Sequence, residues 1–90
     1  MNYAYLTVEQ QTKMLEERLA TIEAEHYQHE INRLVGLELV TTTTTSQLEE
    51  ARQLVANEEA AQELLESAYR ATAKTLHELR SQNGSRSEAT

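Results

Sequence analysis

Five consecutive threonines, Thr41 to Thr45, divide the 90-residue chain into two halves of similar length. β-Branched side chains lose rotamer freedom in a helix, and hydroxyl groups compete for backbone hydrogen bonds, so this run disfavours helix. Elsewhere the chain has no proline and only two glycines, and its fifteen acidic residues are all glutamate, a good helix former. The sequence therefore predicts an all-α fold in which two long helices are joined by a threonine-rich turn.

Helix-capping patterns indicate where these helices begin and end. Thr7-Val8-Glu9-Gln10 and Ser46-Gln47-Leu48-Glu49 have the form of a capping box, and Asn83-Gly84 is typical of a helix end. Gly36 and the alternating residues Leu37-Glu38-Leu39 could also start a strand, but a strand there would have no partner in so short a chain. The sequence therefore predicts helix here, with fraying after Gly36. The predicted organisation is an N-terminal arm at 1–6, helices at 7–40 and 46–82 around a turn at 41–45, and a disordered tail at 83–90.

The composition narrows the possible function classes. The absence of cysteine excludes disulfides, thiolate metal sites and thiol catalysis. The formal charge of −7 disfavours nucleic acid and anionic membrane surfaces, because both bind basic faces. No apolar run approaches the roughly 18 residues of a membrane span, and the N-terminal residues lack a signal-peptide pattern. We therefore expect a cytoplasmic protein that binds neither nucleic acid nor membrane.

Apolar residues recur at three- and four-residue spacings along both predicted helices. On the first helix Val8, Leu15, Leu19 and Ile22 share one face, with Thr12 between them. A second stripe on the same helix, about a third of a turn away, consists of Ala20, Ala24, Tyr27, Ile31 and Leu34. The second helix has one stripe, flanked by Val55 and Tyr69 on one side and Leu64 on the other: Ala51, Leu54, Glu58, Ala61, Leu65, Ala68, Thr72, Leu76 and Leu79.

Two stripes on the first helix predict two buried contacts. A helix of about 35 residues is roughly 50 Å long, and two such rods cover only one narrow seam between them. We therefore expect a long antiparallel hairpin that forms a homodimer or higher assembly, a coiled-coil-like four-helix bundle, with a different protein as the alternative partner. The expected interface residues are Ala20, Ala24, Tyr27, Ile31, Leu34, Leu54, Leu65, Tyr69, Leu76 and Leu79.

The apolar face of the first helix continues into His26, His29 and Arg33 instead of further apolar residues. In an antiparallel hairpin centred near Thr43, both histidines lie close to the level of Glu58, which belongs to the stripe of the second helix. The spacing thus predicts a polar layer of His26, His29 and Glu58. Buried polar layers of this kind fix register and oligomer state in helical bundles.

The same residues also suggest a metal site. His26 and His29 are one turn apart, and Glu23-Ala24-Glu25-His26 resembles the Glu-x-x-His string of ferritin-like di-iron bundles. The resemblance covers this motif alone. It implies that two hairpins together could supply the ligands of a metal ion, which would be drawn from Glu23, His26, His29, Glu30 and Glu58, with Glu59 as another possible carboxylate.

No nucleophile motif or phosphate-binding loop is present, so we expect no enzymatic activity and no cofactor. The predicted function is a protein–protein interaction module: a scaffold, assembly chaperone, adaptor or inhibitor of the kind frequent among bacterial and phage accessory proteins. The alternative is the metal-binding four-helix bundle. Tyr3 and Tyr5 in the N-terminal arm predict either a docking element or a cover over the open end of the bundle.

Overall fold

The computed structural model describes the backbone of residues 3–89 and the side chains of residues 3–82. It contains two helices, α1 (Val8–Thr42) and α2 (Thr45–Ala89), which pack against each other as an antiparallel hairpin. The hairpin measures 68 × 22 × 18 Å, the proportions of a rod two helices wide. The predicted all-α helical hairpin is therefore confirmed. Over the described residues, neither helix combines the length and apolar character needed to cross a membrane.

The start of α1 has the predicted capping box. Thr7 is extended, with φ −72° and ψ 161°, and its hydroxyl accepts a hydrogen bond from the Gln10 N–H at 3.0 Å. The side-chain oxygen of Gln10 accepts from the Thr7 N–H at 2.8 Å. This reciprocal pair satisfies two backbone donors near the helix start, and it fixes the start of α1 at Val8.

The end of α1 lies beyond the predicted boundary at residue 40. The hydroxyls of Thr41 and Thr42 donate to the Glu38 carbonyl at 2.8 and 2.9 Å. Both hydroxyls are therefore satisfied within helical geometry, and these two threonines extend the helix instead of breaking it. The fraying predicted after Gly36 is also wrong, because α1 is continuous through this buried glycine to Thr42.

The connection between the helices is shorter than the predicted turn at 41–45. Only Thr43 and Thr44 lie between α1 and α2, which begins at Thr45. The Gln47 N–H donates to the Thr44 carbonyl at 3.0 Å, so Thr44 precedes the first turn of α2. The predicted helix start at Ser46, with its capping box, is therefore wrong.

The end of α2 also differs from the prediction. Its backbone continues to Ala89, past the predicted stop at Asn83-Gly84. A glycine ends a helix when it takes positive φ, and no described glycine does so. A glycine in a helix interior costs about 1 kcal/mol, which is too little to end a long helix. Disorder is predicted for 83–90. The side chains of these residues, and residue 90 as a whole, lie outside the described part of the chain.

The core of the hairpin is one narrow seam between α1 and α2. Ile22 and Leu76 are 3% and 5% exposed, and Ala51 and Val55 are buried nearer the turn. These four are the buried apolar side chains among the described residues, and none of them is fully enclosed. So little buried apolar surface makes a lone hairpin marginal in stability.

The buried face of α2 is rotated slightly from the predicted stripe. Leu54, predicted within the stripe, is 37% exposed, whereas Val55, predicted on its flank, is buried. A Cβ atom added to Gly36 would lie 2.8 Å from a methyl carbon of Val55. The missing side chain at Gly36 therefore leaves the space into which Val55 packs, and this rotates α2 towards that flank.

The register of the helices also differs from the prediction. His26 contacts Glu66, which is further from the turn than the predicted facing position. Cα–Cβ bonds in a helix point towards its N-terminus, so side chains of α1 reach away from the turn while those of α2 reach towards it. Each residue of α1 consequently meets a residue of α2 whose Cα lies further along the chain.

Candidate functional site

The predicted polar layer forms as two separate pairs. His29 bonds through Nδ1 to a carboxylate oxygen of Glu58 across the seam, and the side chain of Glu58 is only 15% exposed. His26 does not join them, because its Nε2 lies 3.1 Å from a carboxylate oxygen of Glu66, a half-exposed side chain. The shifted register separates the two histidines, so the predicted layer of His26, His29 and Glu58 is only partly formed.

A third polar contact accompanies these pairs. Arg33 donates from Nε and Nη2 to the two oxygens of Glu30 at 2.5 and 3.0 Å, and the Gln62 amide donates to Glu30 at 3.4 Å. The hydrogen bond from Arg33 lowers the pKa of Glu30, and the same bond raises the pKa of the guanidinium. Both groups therefore stay charged at neutral pH. Gln62 is the buried polar residue among the side chains described, and the sequence patterns did not indicate it.

Glu23 also has a partner on α2. The Tyr69 hydroxyl donates to a Glu23 carboxylate oxygen at 3.0 Å. This hydrogen bond and the negative charge of Glu23 raise the pKa of Tyr69, so the phenol remains a protonated donor at neutral pH.

The five candidate metal ligands do not converge in the hairpin. His29 bonds to Glu58, whereas Glu23, His26 and Glu30 each bond to a different residue. Over the described residues, no group of three or more histidine or carboxylate side chains is close enough to hold a metal ion. A di-iron site of the ferritin-like kind needs such a convergence, so one hairpin does not fit a metal centre.

An open groove of about 420 Å³ runs along the side of the hairpin next to these pairs. Ile22, Leu65 and the two tyrosines Tyr27 and Tyr69 contribute apolar surface to it. Its polar groups come from Glu23, His26, Glu30, Glu66 and Arg70. A histidine held by a carboxylate is part of a catalytic triad when it also contacts a nucleophile. In residues 3–82, no serine or threonine hydroxyl hydrogen-bonds to His26 or His29.

The second predicted stripe of α1 is an uncovered apolar surface of this helix. We call it the outer stripe, and it consists of Ala20, Ala24, Tyr27, Ile31 and Leu34. Ile31 follows the buried Ile22 by nine residues, or about two and a half turns, which places it on the opposite side of α1 from α2. Tyr27, Leu34 and Ile31 are 66%, 53% and 39% exposed, so the outer stripe has no cover within one hairpin.

The expected interface residues of α2 have a different position. Leu76 is buried, and Leu65, Tyr69 and Leu79 are half-buried on the face of α2 that packs against α1, with Leu54 at its edge. These residues therefore belong to the seam within one hairpin. The apolar surface that is left uncovered, and could bind a partner, therefore lies mainly on α1.

The described part of the N-terminal arm forms a turn, in which the Leu6 N–H donates to the Tyr3 carbonyl at 2.9 Å. The Gln11 side chain donates to the Leu6 carbonyl at 3.1 Å and ties this turn to α1. Tyr3 and Tyr5 are 54% and 76% exposed, so their rings do not cover the end of the hairpin. A docking role for these tyrosines stays a prediction.

The two His–Glu pairs test how burial changes the contribution of the same interaction to the free energy of unfolding. Glu58→Ala should destabilise the hairpin by about 0.5–1.5 kcal/mol, because it removes a hydrogen bond to a largely buried carboxylate, while His29, whose side chain is 34% exposed, can still bond to water. Glu66→Ala, the matched control at the exposed pair, should cost about 0.5 kcal/mol or less. Replacing both His29 and Glu58 with Leu should leave stability equal or higher. Thermal unfolding followed by circular dichroism measures all three, and equal losses from both alanine variants would contradict this assignment.

Comparison with known proteins gave no match: no family model matches the sequence, and neither a curated protein nor a solved structure matches the chain.

Proposed function

We propose that this chain is a non-enzymatic protein–protein interaction module that works as a self-associating acidic hairpin. A scaffold, assembly chaperone, adaptor or inhibitor would act in this way, in the cytoplasm, as accessory proteins of bacteria and phages do. The observation that carries the proposal is the outer stripe. Its large side chains Tyr27, Leu34 and Ile31 stay 66%, 53% and 39% exposed in the hairpin, although Tyr27 also lines the groove beside α2.

The spacing of the outer stripe supports a helical partner. Its members follow one another at intervals of four, three, four and three residues, the repeat by which helices pack side by side. Tyr27 and Leu34 would be half or more exposed without a partner, although aromatic and large aliphatic side chains stabilise an assembly most when they are buried. A second helix along this surface would also add to the thin core of the hairpin.

The net charge of −7 does not prevent two copies from associating. At physiological salt the Debye length is about 8 Å, and the hairpin is 22 Å across in its second dimension. Charges on the far sides of two associated hairpins are therefore largely screened from one another. The remaining acidic surface stays available for a second, basic partner of the assembly.

Replacing Ile31 with Glu should abolish self-association while the hairpin remains folded. A carboxylate in the middle of the outer stripe would be desolvated by a partner, but in a single hairpin this position is exposed. Sedimentation velocity should give at least twice 10.3 kDa for the natural chain and about 10.3 kDa for Ile31→Glu. Circular dichroism should give the same helix content for both.

Leu64→Glu is the matched control, because Leu64 is 73% exposed but lies on α2, away from the outer stripe. This variant should associate as the natural chain does. A natural chain that stays monomeric at micromolar concentration, or equal losses of association from Ile31→Glu and Leu64→Glu, would disprove the proposed surface.

A further inference from the structure

We propose that the second copy packs antiparallel along the outer stripe, with a two-fold axis between Ala24 and Tyr27. This inference rests on the self-association proposed above and adds the partner's direction and register. Four helices would then lie in a row, α2–α1–α1–α2, because the outer stripe faces away from α2. In a square four-helix bundle, the outer stripe would have to lie next to the seam instead of on the opposite side of α1.

The repeat of the outer stripe continues beyond its apolar members. Lys13 and Glu17 precede Ala20 at the same four- and three-residue intervals, and Glu38 follows Leu34 by four. The complete run therefore has a heptad-type spacing over 13–38, which is typical of a helix pair with a left-handed twist. Over this run α1 is one uninterrupted helix, about 38 Å long.

Side-chain size along the stripe is graded, and this decides the direction of packing. The N-terminal half has the small residues Ala20 and Ala24, and the C-terminal half has the large residues Tyr27 and Ile31. Parallel packing would place small on small and large on large, which leaves a void at one end and crowding at the other. Antiparallel packing about the proposed axis places Ala24 opposite Tyr27 and Ala20 opposite Ile31 of the second copy.

Charge at the two ends of the run favours the same direction. In the antiparallel register Lys13 lies opposite Glu38 of the second copy, and the pair occurs twice in the dimer. In a parallel pair Lys13 would face Lys13 and Glu38 would face Glu38 of the second copy, so like charges would meet. Neither side chain has an ion pair within the described hairpin, so both are available for a partner. The matches of size at two facing pairs and of charge at a third are what an isologous two-fold interface requires. The remaining pair of the run places Glu17 opposite Leu34 of the second copy.

Disulfide cross-linking tests this register directly, because the natural chain has no cysteine. Facing Cα atoms of packed helices are about 4–6 Å apart, within the range that a disulfide spans. Ala20→Cys and Ile31→Cys should form a disulfide dimer when the two variants are mixed and oxidised. Each variant alone should not, because residue 20, like residue 31, is offset from its own copy by about 16 Å along the axis. Gln53→Cys, at an exposed position of α2, is the control that should link with neither.

The outcomes of this experiment separate the two proposals. Cross-linking of single variants would show parallel packing and overturn the register. A natural chain that is dimeric by sedimentation, with reduced variants that also dimerise but do not link on mixing, would overturn the register and leave self-association standing. A monomeric natural chain would overturn both.

Charge reversal gives a second test that does not alter the apolar residues. Glu38→Lys should weaken the dimer about two- to five-fold, although it lowers the net negative charge of the chain, because two lysines then face each other at each end. Lys13→Glu should weaken it similarly, and the double variant should restore the natural affinity. Tighter association of Glu38→Lys, or no restoration in the double variant, would contradict the antiparallel register.

Discussion

Ile22→Ala should destabilise the hairpin by about 2–5 kcal/mol, which is enough to unfold much of it at room temperature. Ile22 is 3% exposed at the centre of the seam, so truncation removes apolar burial and leaves a cavity between two helices that have little other core. Urea denaturation followed by circular dichroism at 222 nm should show this loss at every protein concentration.

Ile31→Ala is the matched control for this prediction, since it is the same substitution on the opposite face of the same helix. At concentrations below those of self-association it should change stability by about 0.5 kcal/mol or less. As the concentration rises, the natural chain should become more stable than this variant, because association stabilises the folded state by mass action. Equal effects of the two substitutions at low concentration would show that the seam has been assigned to the wrong face of α1.

Local patterns in the sequence were sufficient to predict the fold and the two faces of α1. The capping box at Thr7 and Gln10 depends only on neighbouring residues, and the structure contains it. Ile22 and Leu76 were predicted on the apolar faces of their helices because a buried stripe must recur at helical spacing. These features follow from neighbouring residues and from helical periodicity, both of which the sequence contains in full.

The contacts within the candidate site depend on how residues of the two helices line up, and the sequence predicts this alignment less well. Counting residues from the turn predicts His26 near Glu58, but side chains in a helix lean towards its N-terminus, and this moves the contact of His26 to Glu66. A metal site is the alternative function, suggested by a motif on one helix and requiring ligands from two hairpins. Within one hairpin the candidate ligands lie apart, because the register gives them different partners. Thr41 and Thr42 extend α1 for a local reason, hydroxyl bonds to Glu38, that competes with their low helix propensity.

Gly36 should be the position at which helix propensity and packing oppose each other most strongly. In an exposed helix interior, Gly→Ala stabilises by about 1 kcal/mol. Here the added Cβ would lie 2.8 Å from Cγ2 of Val55 and 3.3 Å from Cδ2 of Leu54. The end of Leu54 can move aside, but Val55 is stiff at χ1 and is buried, so the helices must separate. We therefore expect Gly36→Ala to destabilise the hairpin, since overpacking of this kind costs about 1–3 kcal/mol.

The sign of this effect should reverse when Val55 is shortened. Val55→Ala alone removes buried methyl groups and should be destabilising, but it leaves room for a Cβ at position 36. In that background Gly36→Ala should stabilise by about 1 kcal/mol, because it fills the space and removes the flexible glycine. Urea denaturation of the four chains gives the coupling energy, and Ala60→Gly on the exposed face of α2 calibrates the propensity difference in both backgrounds. If Gly36→Ala changes stability in the same direction with Val55 and with Ala at position 55, the close approach of the two helices does not explain the glycine at position 36.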